Sequence, residues 1–90
     1  MAASCTVTVE FYGIPRQRAG RSELIVPAGT VAEVLTAVER ACPALTGLVH
    51  DKGLSPHYLL SVEGDRFVRR LDDVVGPGLH LLLLSADAGG

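Results

Sequence analysis

Aromatic side chains are scarce in this chain: phenylalanine and tyrosine make up 4% of its 90 residues, and there is no tryptophan. Aliphatic side chains must therefore fill the core, and the apolar fraction of 48% is high enough for a folded protein. A chain of this length fits one domain. We expect a single unit over residues 1–90, with a core over about 5–84 and a flexible tail over 85–90.

Strong charge, long apolar runs and cysteine clusters are also missing. The net charge of −2 gives no electrostatic footprint for nucleic acid. No stretch approaches the ~20 apolar residues that span a bilayer, and we expect no membrane partner. Cys5, Cys42 and the three histidines lack metal-ligand spacing, so we expect no bound metal. The N-terminal residues do not have the pattern of a signal peptide, and we expect a cytoplasmic protein with free thiols.

The N-terminal third predicts two strands. Residues 6–11 alternate between polar and apolar, which is the period of a half-buried strand. Its inward-facing residues are Val7, Val9 and Phe11. Gly13, Pro15 and Gly20 then predict a loop. Residues 23–26 are apolar and β-branched enough for a second strand.

One helix is predicted after the second strand. Thr30 and Glu33 have the spacing of a capping box, in which each side chain bonds the other residue's backbone amide. Apolar residues follow at helical spacing on one face: Val31, Val34, Leu35, Val38 and Ala41 or Cys42. Pro43 cannot continue a helix, so it should end by about Cys42.

The C-terminal half predicts three more strands. We expect one short helical turn near 45–49, a strand over 58–62 and a short returning strand over 66–68. Between those two strands, Gly64-Asp65 suits a type II′ turn. A last strand follows over 79–84. With one main helix to cover it, a mixed sheet of four to five strands in an α+β fold follows, and its first and last strands are apolar enough to be central.

The last strand has two apolar faces. Leu79, Leu81 and Leu83 point one way, and His80, Leu82 and Leu84 point the other. One face must meet the helix, so we expect the face with His80, Leu82 and Leu84 to be open and to dock a partner. The alternative is that the segment 44–56 folds over it.

Several stretches of the chain resemble the ubiquitin-like β-grasp sulfur carriers of the MoaD/ThiS family. They are Val9-Glu10-Phe11-Tyr12, Val26-Pro27-Ala28-Gly29-Thr30-Val31, and Tyr58-Leu59-Leu60-Ser61-Val62 with Glu63-Gly64-Asp65. The most specific match is Ala88-Gly89-Gly90 at the end of the sequence. The resemblance covers nearly the whole chain and is greatest to the small subunit of molybdopterin synthase.

This resemblance implies a chemistry at Gly90. In that family the terminal carboxylate is adenylated with ATP by a ubiquitin-activating-type enzyme and becomes a thiocarboxylate that donates sulfur. Gly89 and Gly90 lack side chains, so the tail can thread a narrow channel. Ala86 and Ala88 keep it slim, and we expect Asp87 to be exposed or to meet a basic group on the partner.

The implied role is that of a carrier or co-substrate, without catalytic residues or a bound cofactor of its own. The chain has no phosphate-binding glycine motif, so an outside enzyme must bind the ATP. The implied sulfur acceptor is the large subunit of molybdopterin synthase, with the chain as the non-catalytic small subunit. The acceptor could instead belong to thiamine-thiazole, tRNA or cysteine biosynthesis. A ubiquitin-like modifier joined through Gly90 to lysines, or a β-grasp binding module whose tail is never activated, are the other hypotheses.

Overall fold

The computed structural model describes residues 5–50 and 53–86. Its main sheet contains β1 (Thr6–Phe11), β2 (Glu23–Pro27), β6 (Tyr58–Val62), β7 (Arg66–Val68) and β9 (His80–Ser85). The strand order is β2-β1-β9-β6-β7. β1 and β9 run parallel and the other pairs are antiparallel, so the sheet is mixed. The prediction that the first and last strands are central is confirmed.

Two short ribbons accompany the main sheet. β3 (Gly29–Thr30) pairs with β8 (Val74–Val75), and β4 (Val49–His50) pairs with β5 (Gly53–Leu54). The helical turn expected near 45–49 is a 3₁₀ helix, η1 (Pro43–Leu45), and the chain is already extended at Val49.

The main helix, α2 (Val31–Ala41), begins at the predicted capping box. The Glu33 amide donates to Thr30 Oγ1 at 3.2 Å, and the Thr30 amide donates to Glu33 Oε1 at 2.9 Å. The next free amides of the first turn find partners in the segment before β8: Val31 N–H donates to the Asp73 carbonyl and Ala32 N–H to the Leu71 carbonyl. The start of the helix is therefore satisfied by local and distant groups together.

We expect Thr30→Ala to lower the free energy of unfolding by about 1 kcal/mol, because the Glu33 amide loses its side-chain acceptor. Urea unfolding followed by circular dichroism measures the change. Thr36→Ala, at an exposed position within α2, is the matched control and should be neutral or slightly stabilising. Equal stability of the two variants would contradict the role assigned to the cap.

The core lies between α2 and one face of the main sheet. It takes the inward residues of β1 and the apolar stripe of α2, and the sequence predicted both. Leu81 and Leu83 from β9 are fully buried in the same cluster, as are Leu45 and Leu48 from the segment after α2. That segment therefore packs into the helix side of the sheet.

The prediction of a loop around Gly13, Pro15 and Gly20 was wrong, because a short helix, α1 (Ile14–Ala19), lies there. Pro15 lies in its first turn, where a missing amide hydrogen is tolerated. Gly20 ends the helix in the left-handed conformation at φ 72°, and its amide donates to the Arg16 carbonyl at 3.0 Å. The residues taken as loop markers are thus the two boundaries of a helix.

A tight turn joins β6 and β7 as predicted, but its central residues lie one position before the predicted Gly64-Asp65 and its type was wrong. Its central residues are Glu63 and Gly64, with φ of 56° and 67°. Two positive φ values define a type I′ rather than a type II′ turn. The amide of Asp65 donates to the Val62 carbonyl and closes it.

Candidate functional site: the open sheet face and the root of the tail

The face of the main sheet opposite α2 carries a partly exposed apolar surface. Residues on this face alternate with the core residues of each strand. Leu82 and Leu84 of β9 are half-buried there, as is Leu59 of β6, while Phe67 of β7 and Ile25 of β2 are each 63% exposed. We call this surface the open face; its apolar members are Ile25, Leu59, Phe67, Leu82 and Leu84.

The described parts of the segment 44–56, residues 44–50 and 53–56, do not bury the open face. Leu45, Leu48 and Leu54 of this segment are buried in the core with α2. α1 also lies toward the core side, since it shares a cleft with Tyr58 and Ser85, which alternate with the open-face residues of their strands. Leu82 and Leu84 therefore keep part of their surface accessible, as the strand pattern predicted.

Acidic groups border the open face. Glu10 and Glu23 are cross-strand neighbours, and Glu10 is also the register partner of Leu82. His80 Nε2 lies 2.8 Å from Glu10 Oε1, with both side chains nearly half exposed. The backbone amide of His80 donates to the carboxylate of Glu63, whose own amide donates to the His80 carbonyl. The surface is thus apolar at its centre and acidic along one side.

The C-terminal tail starts from the middle of the main sheet. Ser85 pairs with Tyr58, and the Ala86 amide donates to the His57 carbonyl at 2.9 Å. Ala86 is the last described residue. The other tail residues with an expected role, Asp87, Ala88, Gly89 and Gly90, lie outside the described residues. The structure therefore places the root of the tail, and the open-face residues lie on the strand that leads into it.

A cleft of about 430 Å³ lies beside the root of the tail. We call it the tail-root cleft; it is lined by Ile14, Arg18, Thr46, Gly47, Ser55, His57, Tyr58 and Ser85. Arg18 of α1 donates from Nη1 to the phenol oxygen of Tyr58 at 2.7 Å. The guanidinium of Arg69 donates to the carbonyls of Leu54 and Tyr58. These two bonds stabilise the loop that forms part of this cleft.

Residues 5–50 and 53–86 contain neither a candidate metal site nor a membrane-spanning helix. In that part of the chain no three histidine, cysteine, aspartate or glutamate side chains form a group that could hold a metal ion. No helix there is long and apolar enough to cross a membrane. Of the two cysteines, Cys5 is exposed and Cys42 is buried.

Comparison with known proteins finds relatives only among solved structures: no family model matches the chain, and no curated protein does either. SAMP1 from Haloferax volcanii matches with a TM-score of 0.77 at 23% identity, over 94% of this chain and 99% of that one. A putative molybdopterin converting factor subunit 1 from Pyrococcus furiosus matches with a TM-score of 0.75 at 20% identity, over 91% and 98%. A chain of the Amycolatopsis orientalis BexX/CysO complex matches with a TM-score of 0.74 at 28% identity, over 93% and 99%.

This chain has the ubiquitin-like β-grasp fold. The matches cover nearly the whole length of both chains, and the resemblance drawn from the sequence is confirmed in the fold. Two of the neighbours are described as a small archaeal modifier protein and as a putative molybdopterin converting factor subunit. The Amycolatopsis orientalis neighbour was solved as a complex.

Sequence reasoning missed part of the surface of this β-grasp protein. Ile25, Leu59 and Phe67 join the open face only through the strand register, which no local pattern reveals. Arg18 and Tyr58 are 40 positions apart and meet through α1, whose position depends on tertiary packing. The sequence offered one signal for Phe67, which was the alternation within residues 66–68. Since Val68 was the apolar residue that the core needed, its neighbour Phe67 had to face the other side of the sheet.

Proposed function

We propose that this chain is a sulfur carrier whose reactive group is the carboxylate of Gly90. A ubiquitin-activating-type enzyme binds ATP, and a carboxylate oxygen attacks its α-phosphate, displacing pyrophosphate. Hydrosulfide, delivered by a sulfur donor, then attacks the acyl carbon and AMP leaves, which gives the thiocarboxylate. The carbonyl becomes susceptible to attack because AMP is a far better leaving group than an oxide ion.

The observation that carries this proposal is the position of β9. This strand occupies the centre of the sheet and is hydrogen-bonded on both sides, so the residues after it leave the domain from a rigid base. Four residues, of which Gly90 is the last, follow the last described position in the sequence. They reach at most about 14 Å from Ala86, which is enough to enter a channel but too short to act far from the domain surface.

The proposed sulfur acceptor is the large subunit of a molybdopterin synthase, with this chain as its small, non-catalytic subunit. A structural neighbour described as a putative molybdopterin converting factor subunit 1 supports this assignment. Mixing the thiocarboxylated protein with candidate acceptors, one at a time, tests it. Sulfur must appear in the pterin product only with the synthase large subunit; transfer to a thiazole, tRNA or cysteine precursor instead would overturn the choice of acceptor.

A second function, conjugation to lysines through Gly90, is favoured by one specific observation: SAMP1, a neighbour with nearly full-length coverage, is a small archaeal modifier protein. Conjugation would use the same activated carboxylate. The two functions are distinguished by a digest of whole-cell protein. The digest is searched for lysines whose side chain carries the Gly-Gly remnant of this chain together with the preceding Ala88. Such lysines would establish the modifier, and their absence alongside a thiocarboxylate would leave the carrier.

The open face is proposed to dock the activating enzyme, with Leu82, Leu84 and His80 as contact residues. Its apolar centre and its acidic side fit a partner surface that is apolar with basic residues at the edge. Docking by this face would hold the partner on the strand that leads into the tail. It would therefore bring Gly90 toward the ATP without requiring any contact to the core.

We expect Leu82→Glu to weaken binding to the activating enzyme by about tenfold or more, because it places a carboxylate beside Glu10 in the centre of the contact. Val74→Glu is the matched control, since Val74 is 71% exposed in a separate ribbon. Calorimetry measures affinity, and circular dichroism checks the fold. Normal binding by Leu82→Glu, or unfolding that shows Leu82 to be a core residue, would contradict the docking role.

A further inference from the structure

Arg18 is an exposed arginine that the fold holds in one place. Its Nη1 donates to the phenol oxygen of Tyr58 at 2.7 Å, and Tyr58 is only 5% exposed. The exposed arginines before and after it, Arg16 and Arg21, have no side-chain hydrogen bond to residues 5–50 or 53–86. A long side chain loses conformational freedom when it binds an anion, and Arg18 has lost part of that freedom already.

Tyr58 is itself anchored by the main sheet. Its backbone is the register partner of Ser85 in β9, and its amide donates to the Ser55 carbonyl at 3.1 Å. Its own carbonyl accepts a hydrogen bond from Arg69 Nη1 at 3.3 Å. The sheet therefore sets the position of the Arg18 guanidinium relative to the root of the tail.

The bond to Tyr58 leaves one edge of the guanidinium unused. Nη1 is occupied, whereas Nε and Nη2 can donate two parallel hydrogen bonds, which is the arrangement in which arginine binds a carboxylate. Within the described residues, no aspartate or glutamate lies within ion-pair distance of Arg18, and none lines the tail-root cleft. The cleft thus presents a cation with free donors, in contrast to the acidic side of the open face.

The position of the cleft selects its occupant. The root of the tail lies at its rim, since the Ala86 amide donates to the carbonyl of His57, which lines the cleft. The four residues after Ala86 reach at most about 14 Å, so a protein that holds Gly90 must approach the cleft to about that distance. Its surface therefore lies near Arg18 while the tail is bound, and an acidic side chain on that surface finds a partner there.

We propose that the tail-root cleft binds an aspartate or glutamate side chain of the protein that holds the tail. Arg18 is the bidentate donor and Tyr58 is its positioning residue. The identity of this partner rests on the proposed function, but the carboxylate site does not. The sheet then carries an acidic group, Glu10, on its open face and a cation on the side of α1. A partner with a basic group for Glu10 and an acidic group for Arg18 fits in one orientation only.

Nuclear magnetic resonance on the full ¹⁵N-labelled chain tests the carboxylate site without a partner. Acetate is the probe, acetamide is the uncharged control of similar shape, and sodium chloride keeps the ionic strength constant. We expect acetate to shift the Nε–H signal of Arg18 until it saturates, and acetamide to leave it unchanged. The Nε–H signal of Arg21, which does not line the cleft, is the internal control and should not saturate. Tyr58→Phe should weaken the response of Arg18, because the ring stays while the holding bond is lost.

Three results of this titration count against the proposal. An Arg18 signal that follows the Arg21 signal would overturn the site. A full response in Tyr58→Phe, with the fold checked by circular dichroism, would remove the positioning role. A shift of the Arg18 signal with protein concentration alone would make a second copy of this chain the occupant and overturn the choice of partner.

Calorimetry with the activating enzyme tests the partner. Arg18→Gln should weaken binding about threefold to tenfold, since a fixed bidentate pair is stronger than an ordinary exposed one. Arg21→Gln is the matched control and should bind normally. Because Tyr58 acts through Arg18, Tyr58→Phe should cost less and should add nothing to Arg18→Gln in the double variant.

The two experiments separate this inference from the proposed function. Normal binding by Arg18→Gln, despite a saturating response to acetate, would overturn the partner's carboxylate as the occupant. An activating enzyme that neither binds nor adenylates the wild-type protein would contradict the sulfur carrier and, with it, the choice of partner. The acetate titration would still decide the site.

Discussion

Removal of Gly90 is expected to abolish adenylation while leaving the fold intact. The shortened chain still ends in a glycine carboxylate, Gly89, so its intrinsic reactivity is unchanged. Its position is not, because one residue spans about 3.3–3.6 Å and reacting atoms must approach to about 3–3.5 Å. A misplacement of about 1 Å can reduce a rate about 100-fold, so the loss should be at least that large.

Exchange of labelled pyrophosphate into ATP, catalysed by the activating enzyme in the presence of the carrier, measures this loss. Gly76→Ala is the control, since Gly76 lies before β9, does not have a positive φ and has no atom within 4 Å of an added Cβ. Wild-type exchange by the chain without Gly90 would show that another group is adenylated. An equal loss in Gly76→Ala would show that the assay reports on the fold.

Leu81→Ala is expected to have the largest effect on stability, lowering the free energy of unfolding by about 2–5 kcal/mol. Leu81 is 0% exposed and lies in the central strand, where both neighbouring strands and α2 depend on its packing. Truncation of its side chain leaves a cavity at that point. A domain of this kind has about 5–15 kcal/mol in total, so this single change removes a large share.

Leu82→Ala is the matched control, because it is the same substitution one position along the strand. Its side chain is half-buried on the open face, and we expect it to change the stability by about 1 kcal/mol or less. Urea unfolding of the two variants gives the difference. Equal losses would mean that the open face is part of the core, which would also remove the basis for docking there.

The main sheet and helix could be predicted because their signals are local. The alternation of β1 and the capping box of α2 lie within a few residues, and the structure reproduces both. The last strand was predicted as 79–84 and lies at His80–Ser85, a shift of one residue at each end. Such a shift leaves the two faces of the strand unchanged, so the assignment of Leu82 and Leu84 to the open side was unaffected.

The errors have a common physical origin, which is that tertiary contacts decided them. α1 has only six residues, too few for a 3.6-residue period to stand out, and it is held by contacts to η1 and β9. The turn at Glu63 adopts a positive φ while its amide donates to the His80 carbonyl across the sheet. A local turn propensity at Gly64-Asp65 could not include that bond.

The candidate site also has one part that the sequence predicted and one part that depends on tertiary contacts. The Gly-Gly end and the exposed face of the last strand are properties of short stretches, and the sequence contained them. The tail-root cleft is formed by α1, which carries Arg18, by the turn after η1, by residues 55–58 and by the end of β9. The last three of these segments are all far from Arg18 in the sequence. Only the folded chain brings this cation and the hydroxyl group of Tyr58 to the base of the tail.

The measurement that tests the central claim most directly is the intact mass of the protein, isolated from its own cells without strong nucleophiles or heat. Fragmentation then locates any change in mass. The account predicts a fraction of molecules in which one sulfur replaces one oxygen, with the change confined to Gly90. An unmodified terminus, which also stays unmodified with ATP, the host's activating enzyme and a sulfur source, would contradict it.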